Sequence, residues 1–413
     1  MIRTHVFPCS LPKEVADRLN QESGRIYTSV LVQHYRILRH SDHWLSPGAG
    51  EKLNDHLSGT FLQAHSRDAA QQGFYKACKT AKAQKTSRLG AARYPHHLKT
   101  YRTTCWKNTG IRKKGEVLLL SMAKGNDPIR VCLPAHLAGL PAEAFIEMRL
   151  VWDRAGRRYH WHSVIEDGCL PADPPGNRVA AVDLGEVHPA AVTDGEEGTV
   201  FCARELRSLS QYTHKRLAEI QSVLSKKERH SRRYKRILAR QGRFLAKQKR
   251  KRRDMEHKVS RSVVNYAVER GVGTLAIGDV RKVADGVDYS KIANQKISNW
   301  SHGQVRRYIE YKAAAAGIQT VLENEAYTSQ TCPNPDCLHR LKPRGRVYCC
   351  PACGFRGHRD MVGASNILSR YLYGELGRLY PSETKYRHPF LTGKRSPVDT
   401  RHVARLQREA AVL

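Results

Sequence analysis

Four cysteines between residues 332 and 353 form the pattern in this chain that is best suited to chemistry. Cys332 and Cys337 are followed, after 12 intervening residues, by Cys350 and Cys353. Two such pairs can close one tetrahedral Cys₄ site for a structural Zn²⁺ ion. The chain looks cytosolic, and its eleven cysteines therefore favour metal ligation over disulfides. Cys349 directly precedes Cys350 and could compete for the ion.

The charge balance points to a polyanionic partner. The formal net charge is +33, and self-repulsion of this size is relieved when a polyanion such as nucleic acid binds. No run of about 18 apolar residues is present, so we expect no membrane span. The first residues are typical of a strand rather than a signal peptide, which predicts a cytoplasmic protein of a prokaryotic cell.

Two basic segments are candidates for binding nucleic acid. Residues 226–253 contain fifteen Lys or Arg and one acid, Glu228, whereas a merely solvated face would mix the signs. In residues 93–112 cations alternate with aromatics on which bases can stack, although a surface loop that is simply basic remains open. The candidate residues are Arg232, Arg233, Lys235, Arg236, Lys249, Arg250, Lys251, Arg252 and Arg253 in the first segment, and Tyr94, Lys99, Tyr101, Arg102 and Lys107 in the second.

The elements that must position these residues divide at a linker, residues 173–177. Before the linker, residues 1–10 and 113–172 have the alternating pattern of strands and predict a small β-barrel. Residues 11–112 between them predict helices and the basic loop. After the linker, apolar strands alternate with helices in an α/β pattern, including a long helical stretch, Leu206 to Glu269, with a break near Lys226 or Gly242. The tail, residues 374–413, is expected to be weakly ordered.

A set of short motifs beyond the linker matches a known family. The motifs are Val182-Asp183-Leu184-Gly185, Ala190 to Gly195, Tyr311-Lys312-Ala313, Tyr327-Thr328-Ser329-Gln330-Thr331-Cys332, Cys353-Gly354-Phe355 and Arg359-Asp360. Together they resemble TnpB, a family of transposon-encoded RNA-guided DNA nucleases that is similar to the compact type V CRISPR effectors. The resemblance is close over residues 178–373 and looser before them.

The resemblance implies an α/β ribonuclease-H-like (RuvC) nuclease domain at residues 178–325 and 359–373. A zinc ribbon at 326–358 would interrupt it, and the N-terminal half would be a wedge-like barrel with an inserted helical recognition lobe. Such nucleases hold two Mg²⁺ ions with three carboxylates to cut phosphodiesters. Asp183 matches the first carboxylate and Asp360 the third.

The second carboxylate departs from the family pattern. The family usually has Glu-Asp-Leu at the end of the fourth strand, where this chain has Gly278-Asp279-Val280; His358 also replaces a frequent Asp. Either another acid supplies the missing ligand or the nuclease is inactive. The fifth strand of this fold lies parallel to the fourth, and ligands gather at the carboxyl ends of such strands. We therefore expect Glu325 to be the second carboxylate, with Glu323 or Asp279 as fallback.

These expectations combine into an RNA-guided DNA endonuclease. Its partners would be a guide RNA and double-stranded target DNA with a short flanking motif, and a monomer is favoured. One alternative is a nuclease-dead RNA-guided protein that represses by occupying DNA. Others are a transposase that acts on transposon ends without RNA, and a CRISPR effector in place of a transposon protein.

Overall fold

The computed structural model describes residues 2–54, 59–86, 92–154, 156–166, 168, 170–280, 302–343 and 345–390. The chain separates into two compact units, Met1–Cys169 and Leu170–Leu413. The observed boundary therefore lies a few residues before the linker that the sequence predicts. Among the described helices, none combines the length and the apolar composition that a bilayer-spanning segment needs.

The first unit contains seven strands and four α-helices in its described residues. The strands are β1 (Ile2–Pro8), β2 (Thr104–Lys107), β3 (Ile111–Lys114), β4 (Val117–Leu120), β5 (Ile129–Cys132), β6 (Phe145–Asp153) and β7 (Arg158–Glu166). The helices are α1 (Lys13–Ser41), α2 (Pro47–Asn54), α3 (Ala64–Thr86) and the short α4 (Ala135–Ala138).

Two antiparallel sheets of this unit share one apolar core. Their strand orders are β1-β7-β6-β2 and β3-β4-β5. The first strand returns to pair with β7 over its whole length, as its position in the sequence predicts. Trp106, Phe145 and Trp161 are buried together in the core. Because β2 and the start of β3 belong to these sheets, the prediction that residues 11–112 are only helices and a loop is wrong for its last nine residues, 104–112.

The helices of the first unit support an extended segment, residues 93–103. Thr28 of α1 exchanges two hydrogen bonds with the backbone of Lys99. At Gly24 a Cβ atom would lie 2.5 Å from the Thr100 carbonyl oxygen, so only glycine allows this close approach. The segment is thereby fixed on the helix surface.

The second unit is an α/β structure with a separate two-stranded hairpin. Its strands are β8 (Arg178–Asp183), β9 (Ala190–Thr193), β10 (Glu197–Phe201), β11 (Val272–Gly278), β12 (Gln319–Glu323), β13 (Val347–Cys349), β14 (Arg356–His358) and β15 (Glu383–Arg387). Its helices are α5 (Arg204–Ser225), α6 (Arg232–Glu269), α7 (His302–Ala315) and α8 (Arg359–Tyr373).

The main sheet has the order β12-β11-β8-β9-β10-β15 and is covered on both faces. Alternate residues of a strand point to opposite faces. Ala180 and Val182 of β8 accordingly pack with α6 and α7, whereas Ala181 packs against Ile367 of α8. Since β8, β11 and β12 run parallel, their carboxyl ends meet at one edge of the sheet.

Two observations revise the predicted tail and helical stretch. Residues 383–387 form β15, which pairs in parallel with β10 at the edge of the sheet, so the prediction of weak order after Tyr373 is wrong there. Residues 391–413 lie outside the described residues. The helical stretch breaks at residues 226–231, as expected near Lys226, while Gly242 lies inside the continuous helix α6.

Candidate nuclease site and metal centres

Asp183 ends strand β8 and faces helix α8. A Cβ atom on Gly363 of α8 would lie 2.5 Å from the Asp183 carboxylate, so a glycine is required where this helix crosses the strand end. Burial raises the pKa of Asp183 well above its ordinary value, and the carboxylates of Asp360 and Glu325 raise it further. Three acidic groups are therefore close enough to repel one another.

Glu325 lies two residues beyond β12 and fills the space left by Gly278. Gly278 and Glu323 are partners in the parallel ladder of β11 and β12. A Cβ atom built on Gly278 would lie 3.1 Å from Oε2 of Glu325. Burial raises the pKa of Glu325 to about 7, with a further contribution from the carboxylate of Asp279. The structure thus brings Glu325 to the corner where the family pattern has its second carboxylate.

The two fallback acids occupy different positions. Asp279 follows the last residue of β11, and its carboxylate lies close enough to Glu325 to raise the pKa of that residue. Its backbone N–H donates to the Glu323 carbonyl over 2.7 Å and extends the ladder. Glu323 is the last residue of β12 and precedes Glu325 by two residues.

Asp360 is buried in the first turn of α8 and paired with an arginine. Only 7% of Asp360 is exposed. Nη1 of Arg346 donates to both carboxylate oxygens, at 3.1 and 3.3 Å. A carboxylate in the first turn is also favoured by the helix dipole. Sequence reasoning missed Arg346, because nothing in the local pattern distinguishes it from other basic residues of the ribbon.

The turn after Glu325 is fixed by side chains of α8. Thr328 Oγ1 donates to the Glu325 carbonyl over 2.8 Å. Asn366, which is fully buried, donates to the carbonyls of Thr328 and Thr331 at 2.7 and 2.8 Å. Arg370 donates to the Ala326 carbonyl over 3.1 Å. A polar Asn366 inside an apolar helical run was the one sequence signal for this role.

The four cysteines come together as their spacing predicts. The Sγ atoms of Cys332 and Cys353 are 3.6 Å apart, and those of Cys337 and Cys350 are 3.5 Å apart. All four sulfur atoms lie within 4.8 Å of one another. The backbone N–H of Phe355 lowers the pKa of Cys353 to about 7, which favours the thiolate that a metal binds. Cys349 is not part of the cluster.

A second compact group of metal-ligating side chains consists of His188, His358 and Asp360. One ligand atom from each lies within 4.8 Å of the others, and all three residues are buried. In the described residues, only this group and the cysteines are that compact. The three carboxylates of Asp183, Glu325 and Asp360 are more widely spaced than this, as ligands distributed around two ions would be.

The basic candidates of the second unit lie on an exposed helical hairpin. Helices α5 and α6 pack against each other, with Tyr212 and Phe244 in ring contact at 5.9 Å. Arg252 is partly buried and donates to Ser210 over 2.6 Å. The remaining candidates are exposed: Arg232, Arg233, Lys235, Arg236, Lys249, Arg250, Lys251 and Arg253.

The candidates of the first unit divide into exposed and packed residues. Lys99 and Tyr101 are exposed, and Lys107 is half-buried in β2. Tyr94 is half-buried against Trp44, with ring centroids 4.9 Å apart. Arg102 lies over the ring of Tyr27 at 4.5 Å. Tyr94 and Arg102 thus use part of their surface in packing, and the binding of nucleic acid by the five residues stays a prediction.

Two family models match segments of the chain. Residues 302–367 match the Cas12f1-like TNB domain. Residues 160–284 match the family described as probable transposase, OrfB_IS605.

Similar curated proteins carry related names. The chain is 29% identical to the TnpB-like protein ORF457 of Acidianus two-tailed virus over 48% of this chain and 43% of the relative. It is 32% identical to the CRISPR-associated endodeoxyribonuclease Cas12f1 of Sulfoacidibacillus thermotolerans, over 27% of this chain and 25% of the relative. With the putative RNA-guided DNA endonuclease InsQ of Escherichia coli K12 it shares 28% identity, over 51% and 53%. The matches thus span a quarter to about half of these relatives.

A solved structure has a similar fold. The Cas12f1 chain in a complex with sgRNA and target DNA superposes with a TM-score of 0.56, at 13% identity, over 86% of this chain and 82% of that chain. At this identity the likeness concerns the fold alone. Together with the motifs and the sequence matches, it confirms the resemblance seen in the sequence to the TnpB-like proteins and the compact type V effectors.

Proposed function

We propose that this chain is an RNA-guided DNA endonuclease that hydrolyses phosphodiester bonds at the site of Asp183, Glu325 and Asp360. The observation that carries the proposal is the position of the Glu325 carboxylate, 3.1 Å from where a side chain on Gly278 would begin. The acid missing from the fourth strand is thereby replaced from the fifth. An inactive relative would have no need for a carboxylate at this corner.

The arrangement of the sheet supports a RuvC-like nuclease domain. The fifth strand, β12, runs parallel to the fourth, β11, which is the neighbourhood that the resemblance implies. Asp183 and the space at Gly278 both face α8, the helix that carries Asp360. Three elements from distant parts of the sequence therefore direct acids to one edge of the sheet.

The donor set fits divalent ions that prefer oxygen, such as Mg²⁺. The pKa of Asp183 is raised first by burial and then by repulsion from the carboxylates of Asp360 and Glu325, and a bound cation would relieve that repulsion. When bound, two such ions would activate the attacking water and stabilise the leaving oxygen. The protein's own part is to hold the three carboxylates in position, with Arg346 paired to Asp360.

The cysteine cluster fits one structural Zn²⁺. Four sulfurs within 4.8 Å of one another are what a closed tetrahedral Cys₄ site requires. The ribbon follows Glu325 and precedes Asp360 directly in the sequence. Its role in this proposal is to fix both chain segments, rather than to take part in hydrolysis.

The partners proposed are a guide RNA and a double-stranded DNA target with a short flanking motif, bound by a monomer. The exposed cations of α6 supply a surface for phosphate backbones. Cas12f1, whose fold is similar, was solved with sgRNA and target DNA, which supports partners of these classes here. Base pairing would then read the sequence, and the protein would hold the heteroduplex by shape and charge.

The test is cleavage of target DNA in Mg²⁺ by the protein purified with its RNA. We expect wild-type protein to cut, and Asp183→Ala and Asp360→Ala to bind the target but not cut it, because each removes a ligand without adding bulk. Binding without cutting by the wild-type protein would favour the nuclease-dead repressor. Strand transfer on transposon ends without RNA would instead favour a transposase, and sequencing the co-purified RNA separates these outcomes.

A further inference from the structure

A pair of buried histidines lies next to Asp360, which is one of the three carboxylates of the proposed nuclease site. His188 belongs to the loop between β8 and β9, and His358 is the last residue of β14. Their ring centroids are 5.1 Å apart. The exposed fractions of His188 and His358 are 0% and 6%. One ligand atom of each, and one carboxylate oxygen of Asp360, lie within 4.8 Å of one another.

This combination of side chains is chemically specific. The fold gathers two imidazoles and a carboxylate at one buried place. Two imidazoles and one carboxylate are ligands that suit first-row transition ions, whereas Mg²⁺ prefers oxygen alone. His358 stands where the TnpB pattern often has Asp, so at this position an imidazole replaces an oxygen donor.

The contact of Asp360 with Arg346 leaves part of its carboxylate available to an ion. Arg346 is the cation that faces this carboxylate, through one nitrogen at 3.1 and 3.3 Å. A carboxylate has about four lone-pair positions, so the contact leaves others available. One third of the Arg346 side chain is exposed, which allows it to move toward solvent. Tyr386 closes the other side, with its ring 5.7 Å from that of His358.

We propose that His188, His358 and Asp360 bind one transition-metal ion, such as Mn²⁺, and that Asp360 is shared between this ion and the carboxylate site. Three protein ligands would leave positions open for water or a phosphate oxygen. The two imidazoles would then favour a transition-metal ion over Mg²⁺ at one of the two ion positions of the nuclease site. Only this last consequence rests on the proposed function, since ion binding is measurable without cleavage.

The experiment uses the full chain with its cysteine site loaded with zinc. Mn²⁺ does not displace Zn²⁺ from thiolates, because its affinity for a given site is lower. Bound Mn²⁺ is counted by the loss of the free-ion electron paramagnetic resonance signal. Measurements are made in an Asp183→Asn/Glu325→Gln background, which removes the neighbouring carboxylates, and in excess Mg²⁺.

In that background we expect one Mn²⁺ per chain, resistant to Mg²⁺. His188→Ala and His358→Ala should each weaken binding by at least about tenfold, the scale known for lesser changes around metal sites. His40→Ala, at an exposed position of α1, should change nothing. Equal Mn²⁺ affinity in all variants would overturn the proposal.

A second substitution tests the metal preference in a variant that is expected to fold. His358→Asp returns an oxygen donor, so we expect the preference for Mn²⁺ over Mg²⁺ to fall while the thermal unfolding midpoint is retained. An unchanged preference in this folded variant would also overturn the proposal. If Mn²⁺ binds as expected but the wild-type protein does not cut DNA, the metal site stands and the proposed nuclease function fails.

Discussion

At the scale of single residues, the proposed site depends on Glu325 supplying the carboxylate that is absent at Gly278. Replacing Glu325 with Ala should reduce cleavage by at least about a hundredfold, the scale of losing one essential electrostatic group in an active site. Asp279→Ala should be milder, since Asp279 is offset by one residue from Gly278, the position where the family pattern has its acid. Cleavage of the same target with guide RNA bound measures both. Glu323→Ala is the matched control, and loss of activity there with full activity in Glu325→Ala would transfer the role to Glu323.

The corner at Gly278 accommodates one carboxylate at a time. A Cβ atom at this position would lie 2.9 Å from Cδ1 of Ile367 and 3.1 Å from Glu325 Oε2. Gly278→Glu alone should therefore destabilise the protein, by about 1–3 kcal/mol for overpacking. In the Glu325→Ala background one of the two close contacts disappears, and part of the cleavage should return. Thermal unfolding and cleavage assays test the pair, and equal effects in both backgrounds would contradict this view.

The titration of Glu325 predicts how stability depends on pH. Burial raises its folded-state pKa to about 7, above the unfolded value, so the folded protein binds more protons between these two values. Without divalent ions, stability should therefore fall as the pH rises from about 5 to 7. Glu325→Gln should flatten this slope, whereas Glu323→Gln should not. Thermal unfolding in chelator across this range is the measurement, and identical slopes in wild type and Glu325→Gln would disprove it.

At the scale of elements, the ribbon is expected to carry one zinc. Cys350→Ser/Cys353→Ser should lose the ion, because two of four thiolates go, while Cys349→Ser should keep it, because Cys349 lies outside the cluster. Elemental analysis of the folded proteins gives the zinc content directly. Zinc retained in the double variant would refute the assignment.

The helical hairpin is expected to bind nucleic-acid backbone through its exposed cations. Replacing Lys249, Arg250, Lys251 and Arg253 with Gln should weaken binding to all sequences and flatten its salt dependence, by about one unit of log–log slope per lost phosphate contact. Arg252 is kept, because its bond to Ser210 holds the two helices together. Binding is measured over a range of salt concentrations. An unaltered slope would mean that these cations are only solvated.

Comparison of elements with the sequence shows what local patterns can predict. The continuous apolar run of β8 and the spacing of the cysteines express local preferences, and both predictions agree with the structure. The approach of Glu325 to Gly278 was predicted because parallel neighbours end at the same edge. The contact of Arg346 with Asp360 depends on the register of β13 and β14, in which Val347 pairs with His358. Such a register is set by tertiary packing, so no local pattern announces it.

At the scale of the whole molecule, the two units differ in their secondary structure, but both are positively charged. The net charge of +33 is distributed over both units and opposes their compact states by self-repulsion. A bound polyanion would screen that repulsion and stabilise the folded chain by mass action. Tyr94 and Arg102 also have a structural role, because each packs against a neighbouring aromatic ring.

Strand β15 has a consequence for the order in which the chain folds during its synthesis. The first unit can close its main sheet once β7 is made, because β1 pairs with residues up to Glu166. The main sheet of the second unit consists of β8 to β12 and β15, and β15 ends at Arg387. Until β15 emerges, the side of β10 that does not pair with β9 has no neighbouring strand. Such an open edge can pair with strands of other chains. The growing chain therefore passes through a long interval in which a folded first unit is attached to a basic, incomplete sheet.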